Sequence, residues 1–131
     1  MPIIDIEWIA ASADAAPPAN AQALADALGT LLGSAPGHTW LRLRALPADC
    51  YAENEVNLTP AQWPVFVTVL LRVWPDEATR AKQAQAISAC VAAGMGCDET
   101  RVHVEYAPPA GGRLAFGGVL TPGGSAVFQA G

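Results

Sequence analysis

The segment M-P-I-I-D-I-E-W, residues 1–8, decides the fold, because it places a proline directly before a run that alternates apolar and acidic residues. Alternation with a period of two is typical of a strand with one buried face. Pro64 stands 62 residues further on and precedes the apolar, β-branched run at 65–73, which predicts an interior strand buried on both faces. Pro47 and Pro109, each after another strand-like segment, are also 62 residues apart.

Each half also contains a helix followed by a second strand. In the first half, Asn20 is a suitable helix cap and Gly33 a suitable stop, and the strand T-W-L-R-L-R-A follows at 39–45. In the second half, a helix begins after Asp76 and is expected to end at Gly94, before the strand R-V-H-V-E-Y at 101–106. The segment from 46 to 63 has no clear period and is predicted to be a long connection.

This order predicts an α/β protein (an α+β two-layer sandwich) built from a duplicated β-α-β unit. A parallel strand pair needs such a crossover, and two units give a four-stranded mixed sheet with two helices on one face. We expect a single domain, 1–131, with pseudo-repeats at about 2–47 and 64–109. The other face of the sheet is left bare. Since 52% of the residues are apolar and only 15% charged, a symmetric homo-oligomer that covers this face is expected.

Charge and composition argue against several classes of protein. The net charge is −5 and the seven Lys and Arg residues form no basic run, which argues against nucleic-acid binding. No apolar stretch approaches the length of a membrane span, and no signal peptide is visible, so a cytoplasmic location is predicted. The three cysteines lack metal-ligand spacing and are expected to be buried small hydrophobes. Neither a metal nor a cofactor is implied.

The proline after Met1, the two β-α-β units and the A-F-G-G turn after R-V-H-V-E-Y together resemble the tautomerase superfamily. Its long-chain branch includes macrophage migration inhibitory factor, 5-carboxymethyl-2-hydroxymuconate isomerase and malonate semialdehyde decarboxylase. The resemblance implies a homotrimer with a site at each subunit boundary, and a closing hairpin after the last strand. It also implies that Pro2 is catalytic.

The chemistry of Pro2 agrees with that role. Removal of Met1 would leave a secondary amine, and an α-amino group titrates near 7.7–8.0 in model compounds. Burial disfavours the cation and lowers that value, so the amine can take a proton from carbon beside a carbonyl. The plainer interpretation is that Pro2 only makes Met1 easy to remove.

Arg42 and Arg44 share one face of their strand and are candidates for binding a substrate carboxylate; alternatively, they are solubilising residues on an exposed sheet. His103 and Glu105 fall where relatives carry polar groups on the last strand, so the resemblance makes both candidate catalytic residues, and Glu105 could activate water or orient the substrate. The alternative interpretation is that His103 is a structural residue and that Glu105 pairs with Arg44 across the sheet. Four further candidates for substrate binding, in the Y-A-E-N loop and in the tail, are Tyr51, Asn54, Arg113 and Phe116.

The resemblance therefore predicts a cofactor-independent keto–enol isomerase for a small anionic substrate, a 2-keto or enol carboxylic acid, with Pro2 as general base. One alternative is a non-catalytic protein that keeps the fold for assembly or small-molecule binding. The other is a decarboxylase or hydratase-type relative that uses Pro2 with Glu105. The arginines that decarboxylase relatives carry near the second helix have no counterpart in register here, which favours isomerisation.

Overall fold

The computed structural model describes residues 2–123 and contains two helices and a four-stranded sheet, followed by a small hairpin. The sheet has the order β2-β1-β3-β4, and β5 pairs with β6 in the hairpin. The elements, in chain order, are β1 Ile3–Ala10, α1 Ala21–Leu31, β2 Trp40–Pro47, β3 Val65–Leu70, α2 Glu77–Met95, β4 Val102–Tyr106, β5 Ala115–Phe116 and β6 Val119–Leu120.

The sheet confirms the duplicated β-α-β unit. β1 runs parallel to β2 and β3 parallel to β4, whereas the two central strands β1 and β3 are antiparallel. Ile3 pairs with Trp40 and Val65 with Val102, so paired residues are 37 positions apart in both units. The two crossovers therefore have the same length. The single-domain organisation with its proposed repeat limits stays a prediction.

The core lies between the sheet and both helices. Ile4 and Ile6 of β1 and Val67 of β3 are at most 1% exposed, and Leu28 and Ile87 of the helices are fully buried against them. Alternate strand residues share a face, so the residues between these project to the opposite, helix-free side. The helix-free face is formed by Ile3, Asp5, Glu7, Trp40, Arg42, Arg44, Phe66, Thr68, Leu70, His103 and Glu105.

The first helix has the predicted ends. The Asn20 side chain accepts a hydrogen bond from the backbone N–H of Ala23 at 3.1 Å, which satisfies one of the free donors of the first turn. At the other end, Gly33 has a φ of 67°, the left-handed conformation that commonly follows a helix.

The predicted end of the second helix at Gly94 is wrong. Asp76 caps α2 as expected, but the helix continues through Gly94 to Met95, and Gly96 takes the left-handed cap with a φ of 68°. Gly94 instead lies where α2 approaches α1: a Cβ built on it would come within 2.5 Å of Cδ2 of Leu24. The glycine permits this close approach of the two helices.

The third strand is shorter and less buried than the sequence predicted. β3 ends at Leu70, and beyond it the carbonyls of Leu71 and Arg72 accept hydrogen bonds from the backbone N–H groups of Ala110 and Gly111 in the segment after β4. Phe66 is 36% exposed, since the helices cover only one face of the sheet in the single chain. The prediction of burial on both faces is therefore wrong for the single chain.

The predicted closing hairpin is present. Phe116 pairs with Val119, and the two-residue turn Gly117–Gly118 has positive φ at both positions, which suits a tight hairpin. The chain leaves β4 at one edge of the sheet and brings Phe116 against Trp40 at the opposite edge, with ring centroids 5.0 Å apart. The segment between them therefore crosses the end of the sheet where β1 begins.

The structure bears on three smaller expectations, which concern the long connection, the burial of the cysteines and the length of apolar helices. The connection from 46 to 63 holds two short 3₁₀ turns, Ala48–Cys50 and Pro60–Gln62, and one isolated bridge. Cys50 is exposed, whereas Cys90 and Cys97 are half-buried, so the expectation that all three are buried is wrong. Within residues 2–123, neither helix is long and apolar enough to cross a membrane.

Candidate active site

Pro2 directly precedes the central strand β1 and is half-buried. Its carbonyl accepts a hydrogen bond from the backbone N–H of Trp40 at 3.0 Å, which extends the β1–β2 ladder by one bond and fixes the proline at the end of the sheet. The indole N–H of Trp40 donates to the carbonyl of Gly37 at 3.0 Å, and its ring meets Phe116 edge-on. Pro2 thus lies at the same end of the sheet as this aromatic pair.

The predicted polar residues of the sheet lie in two rows across the helix-free face. Each row takes one residue from each strand, in the order β2, β1, β3, β4. The first row consists of Arg42, Asp5, Thr68 and Glu105, and the second row consists of Arg44, Glu7, Phe66 and His103.

The first row contains a paired arginine. Arg42 donates from Nε to Oδ1 of Asp5 at 2.5 Å and from Nη2 to Oδ2 at 2.8 Å, the forked geometry of an arginine–carboxylate pair. The hydrogen bond from Arg42 holds the pKa of Asp5 below its usual value, and the same bond raises the pKa of Arg42. The carboxylate that Arg42 binds in the single chain is therefore that of Asp5, a partner that the sequence analysis missed.

Arg44 is exposed and lies opposite Glu7. In the described part of the chain the only ion pair within 4 Å is Arg42–Asp5, so no carboxylate there occupies the Arg44 guanidinium. Arg44 is thus the more available of the two candidate arginines.

Pro2 is separated from both rows along the strand. Asp5 is three residues and Glu7 five residues beyond Pro2, which at about 3.3 Å per residue gives roughly 10 and 16 Å. Catalytic groups act within hydrogen-bond reach of about 3 Å. Pro2 and Arg44 of one chain are therefore not adjacent, and the helix-free face does not form a compact site with Pro2 by itself.

Tyr51 and His103 are brought together by a residue that the sequence analysis assigned only to a strand. The Phe66 ring lies 5.8 Å from that of Tyr51 and 5.9 Å from that of His103. The Tyr51 hydroxyl donates to Oε2 of Glu53 at 2.7 Å, and burial, with this bond, raises the pKa of Tyr51. The alternation in V-F-V-T-V was the available signal, because it puts Phe66 on the face opposite the buried valines.

The remaining candidates are dispersed. Asn54 is exposed in the connection after β2, next to Glu55, which has a φ of 60°. Glu105 is exposed on β4. Its suggested pairing with Arg44 is wrong, because β2 and β4 are the two outer strands of the sheet.

Arg113 lies in the segment after β4 and binds its own backbone. Its Nε donates to the carbonyl of Pro109 at 2.8 Å and its Nη2 to that of Pro108 at 2.6 Å. These three residues and Trp74 line one cavity, whereas Phe116 is part of the pair with Trp40. Trp74 was not among the predicted site residues. No group of three potential metal ligands occurs among residues 2–123.

No protein-family model matches the sequence, and no curated protein matches it. Solved structures do. A fused 4-OT (wild type, symmetric trimer) has a TM-score of 0.68 and 21% identity, over 91% of this chain and 94% of that chain. Pt0534 inactivated by 2-oxo-3-pentynoate has a TM-score of 0.70 and 17% identity, over the same shares, 91% and 94%.

Macrophage migration inhibitory factor from Oncomelania hupensis has a TM-score of 0.69 and 15% identity, over 99% of this chain and 92% of that chain. These proteins are tautomerase-superfamily members, and their structures match nearly the whole chain, which agrees with the two β-α-β units and the closing hairpin. The chain has the fold of the tautomerase superfamily.

Proposed function

We propose that the protein is a cofactor-independent keto–enol tautomerase that acts on a small 2-keto or enol carboxylic acid, with Pro2 as general base. The observation that carries this proposal is the position of Pro2, which directly precedes the central strand of a tautomerase fold and is held by its bond to Trp40. With Met1 removed, its secondary amine would titrate near or below 7.7–8.0, since burial disfavours the cation.

The substrate carboxylate is assigned to Arg44, because Arg42 already binds Asp5. Since about 16 Å of strand separates Pro2 from the level of Arg44 in one chain, the two act together only across a subunit boundary. A homotrimer with one site at each boundary is proposed to bring Pro2 of one chain near Arg44 of another, and one of the similar structures is a symmetric trimer. We propose that His103 and Glu105 assist catalysis and that the site is further lined by Tyr51, Asn54, Arg113 and Phe116.

The choice of a keto acid rests on chemistry and on one comparison. A forked guanidinium suits a carboxylate, and a neutral secondary amine suits proton transfer at carbon beside a carbonyl. Pt0534, which shares the fold, is inactivated by 2-oxo-3-pentynoate, itself a 2-oxo acid. This supports a substrate of that class without fixing its identity.

The test compares protein from which Met1 has been removed with protein that retains it, each verified by mass. Processed protein should ketonise phenylenolpyruvate or 2-hydroxymuconate without added metal, with a rate that rises as pH rises through the pKa of the amine. Protein retaining Met1 should be slow, because its Pro2 nitrogen is an amide without a basic lone pair. Pro2→Ala should keep part of the activity through its primary amine.

Pro18→Ala, in the exposed loop before α1, serves as the matched proline control and should behave as the unmodified protein. Equal rates for the processed and unprocessed forms would show that Pro2 is not the base. No rate in either form, across several enol acids, would favour the non-catalytic alternative.

A further inference from the structure

The pair that Arg42 forms with Asp5 leaves the two arginines of the helix-free face in different states. Arg42 and Arg44 are alternate residues of β2, so about 7 Å of strand separates them on the same face. Two guanidinium groups at that spacing suit the two carboxylates of a short diacid. Arg42, however, is bound to Asp5 in a forked pair, whereas within residues 2–123 Arg44 has no carboxylate oxygen within 4 Å.

Asp5 is a strong competitor for Arg42. The strand register fixes it on β1 directly opposite Arg42, so its carboxylate acts at a high effective concentration that a dissolved carboxylate does not match. An incoming carboxylate that displaced Asp5 would leave two negative charges side by side, because the other neighbour of Asp5 in its row is Thr68, not a second cation. The hydrogen bond from Arg42 lowers the pKa of Asp5, which is therefore ionised at neutral pH.

The rest of the helix-free face does not favour a second negative charge either. Beyond the Arg42–Asp5 pair, its described residues include one arginine, Arg44, and two carboxylates, Glu7 and Glu105. Glu7 lies directly opposite Arg44 in the second row. Arg44 can therefore neutralise the carboxylate of a monoacid, but the second carboxylate of a diacid finds no free arginine among the described residues of this face.

We propose that Asp5 is a specificity-determining residue: by occupying Arg42 it restricts the site at Arg44 to substrates with one carboxylate and disfavours short diacids. Arg44 takes its role from the proposed function, on which this inference rests, and Asp5 then sets the substrate class of the same site. Asp5 acts through Arg42 and takes no part in proton transfer.

The test is a binding titration with two unreactive probes, butyrate and glutarate, where glutarate is butyrate with a second carboxylate on its terminal carbon. Binding is followed by ¹H–¹⁵N NMR of the arginine Nε–H groups, with Arg42→Gln and Arg44→Gln assigning the two signals. In the unmodified protein we expect butyrate to shift the Arg44 signal saturably and glutarate to bind no more tightly. In Asp5→Asn, glutarate should shift both signals and bind about tenfold more tightly than butyrate, since a second charged hydrogen bond becomes available.

Two variants separate the release of Arg42 from a general loss of negative charge. Glu7→Gln removes an equal charge from the same strand and face, but within the described chain Glu7 forms no ion pair. The affinities of Glu7→Gln for the two probes should therefore stay within about threefold of each other. Arg42→Gln in the Asp5→Asn background removes the released arginine, and the gain for glutarate should disappear.

Four results would overturn the role of Asp5. They are an unmodified protein that binds glutarate about tenfold more tightly than butyrate, an unchanged affinity ratio in Asp5→Asn, a gain that persists without Arg42, and no shift of the Arg44 signal with either probe. The comparison in the unmodified protein needs no substitution, so it stays decisive even if Asp5→Asn disturbs the sheet.

Binding of these probes involves no proton transfer, so its outcome is separate from that of the tautomerase assay. A protein that is inactive on every enol acid but shows the expected selectivity would refute the proposed function and support the role of Asp5. An active tautomerase that binds glutarate and butyrate in the same ratio with and without Asp5 would keep the proposed function and refute the role of Asp5.

Discussion

Replacing Gly94 by alanine tests whether the two helices approach as closely as the structure shows. An exposed helical glycine changed to alanine ordinarily stabilises a protein by about 1 kcal/mol. Here the new Cβ would lie 2.5 Å from Cδ2 and 3.4 Å from Cγ of Leu24, a side chain only 3% exposed and therefore unable to rotate into solvent. Overpacking of this kind costs about 1–3 kcal/mol.

The two effects oppose each other, and we expect Gly94→Ala to lower the free energy of unfolding by about 1 kcal/mol. Gly29→Ala is the matched control. It lies inside α1, and its new Cβ would meet only Thr39 at 3.8 Å, an ordinary contact. We therefore expect Gly29→Ala to raise the unfolding free energy by about 0.5–1 kcal/mol.

The assay is equilibrium unfolding in urea at one fixed protein concentration, with midpoint and slope compared between variants. In a Leu24→Ala background the obstructing methyl is gone, so Gly94→Ala should become stabilising. A Gly94→Ala variant as stabilising as Gly29→Ala would refute the close approach. An unchanged cost in the Leu24→Ala background would show that the strain arises elsewhere.

Three further outcomes are expected. Light scattering at micromolar concentration should give a mass of about 40 kDa for a trimer of the 13.5 kDa chain, and a monomer would exclude the shared site. Arg44→Ala should weaken substrate binding by about 1.5–3 kcal/mol, seen as a higher KM, and an unchanged KM would make Arg44 a surface residue. The pKa values of Asp5, Asp76 and Asp98 are lowered from the ordinary aspartate value, chiefly by hydrogen bonds from the Arg42 side chain and from the Thr79 and Thr100 backbones. The midpoint of thermal unfolding should therefore stay constant above the ordinary aspartate pKa and fall as acidification protonates these groups. The fall should be smaller in Asp76→Asn.

The alternating segments made the sheet predictable. In I-I-D-I-E-W and R-V-H-V-E-Y the buried and exposed residues follow the pattern of the sequence, because burial alternates along a strand. Asn20 and Gly33 were recognisable as helix boundaries for an equally local reason. Gly94 was misassigned because the reason for a glycine there is a second helix, whose approach no local pattern reveals.

The candidate site was harder to predict, because it depends on how distant segments align. Arg42 and Asp5 are 37 residues apart, and only the register of β1 on β2 makes them partners. The same strand order separates Glu105 from Arg44, which the sequence alone allowed to pair. Trp74 lines a cavity because it contacts the segment after β4. That segment has no sequence periodicity from which these contacts could be inferred.

The equal crossovers of the two β-α-β units bear on how the chain folds. Parallel partners are 37 residues apart in both units, whereas the β1–β3 partners that join the units are 57 to 67 residues apart. Because the entropy of loop closure grows only with the logarithm of length, the central pairing costs about 0.5 kcal/mol more than either parallel pairing. Neither β-α-β unit thus has a large entropic advantage over the pairing that joins the two units. Either unit alone would expose the edge of its central strand. We expect the two halves to fold and unfold together, in one cooperative transition.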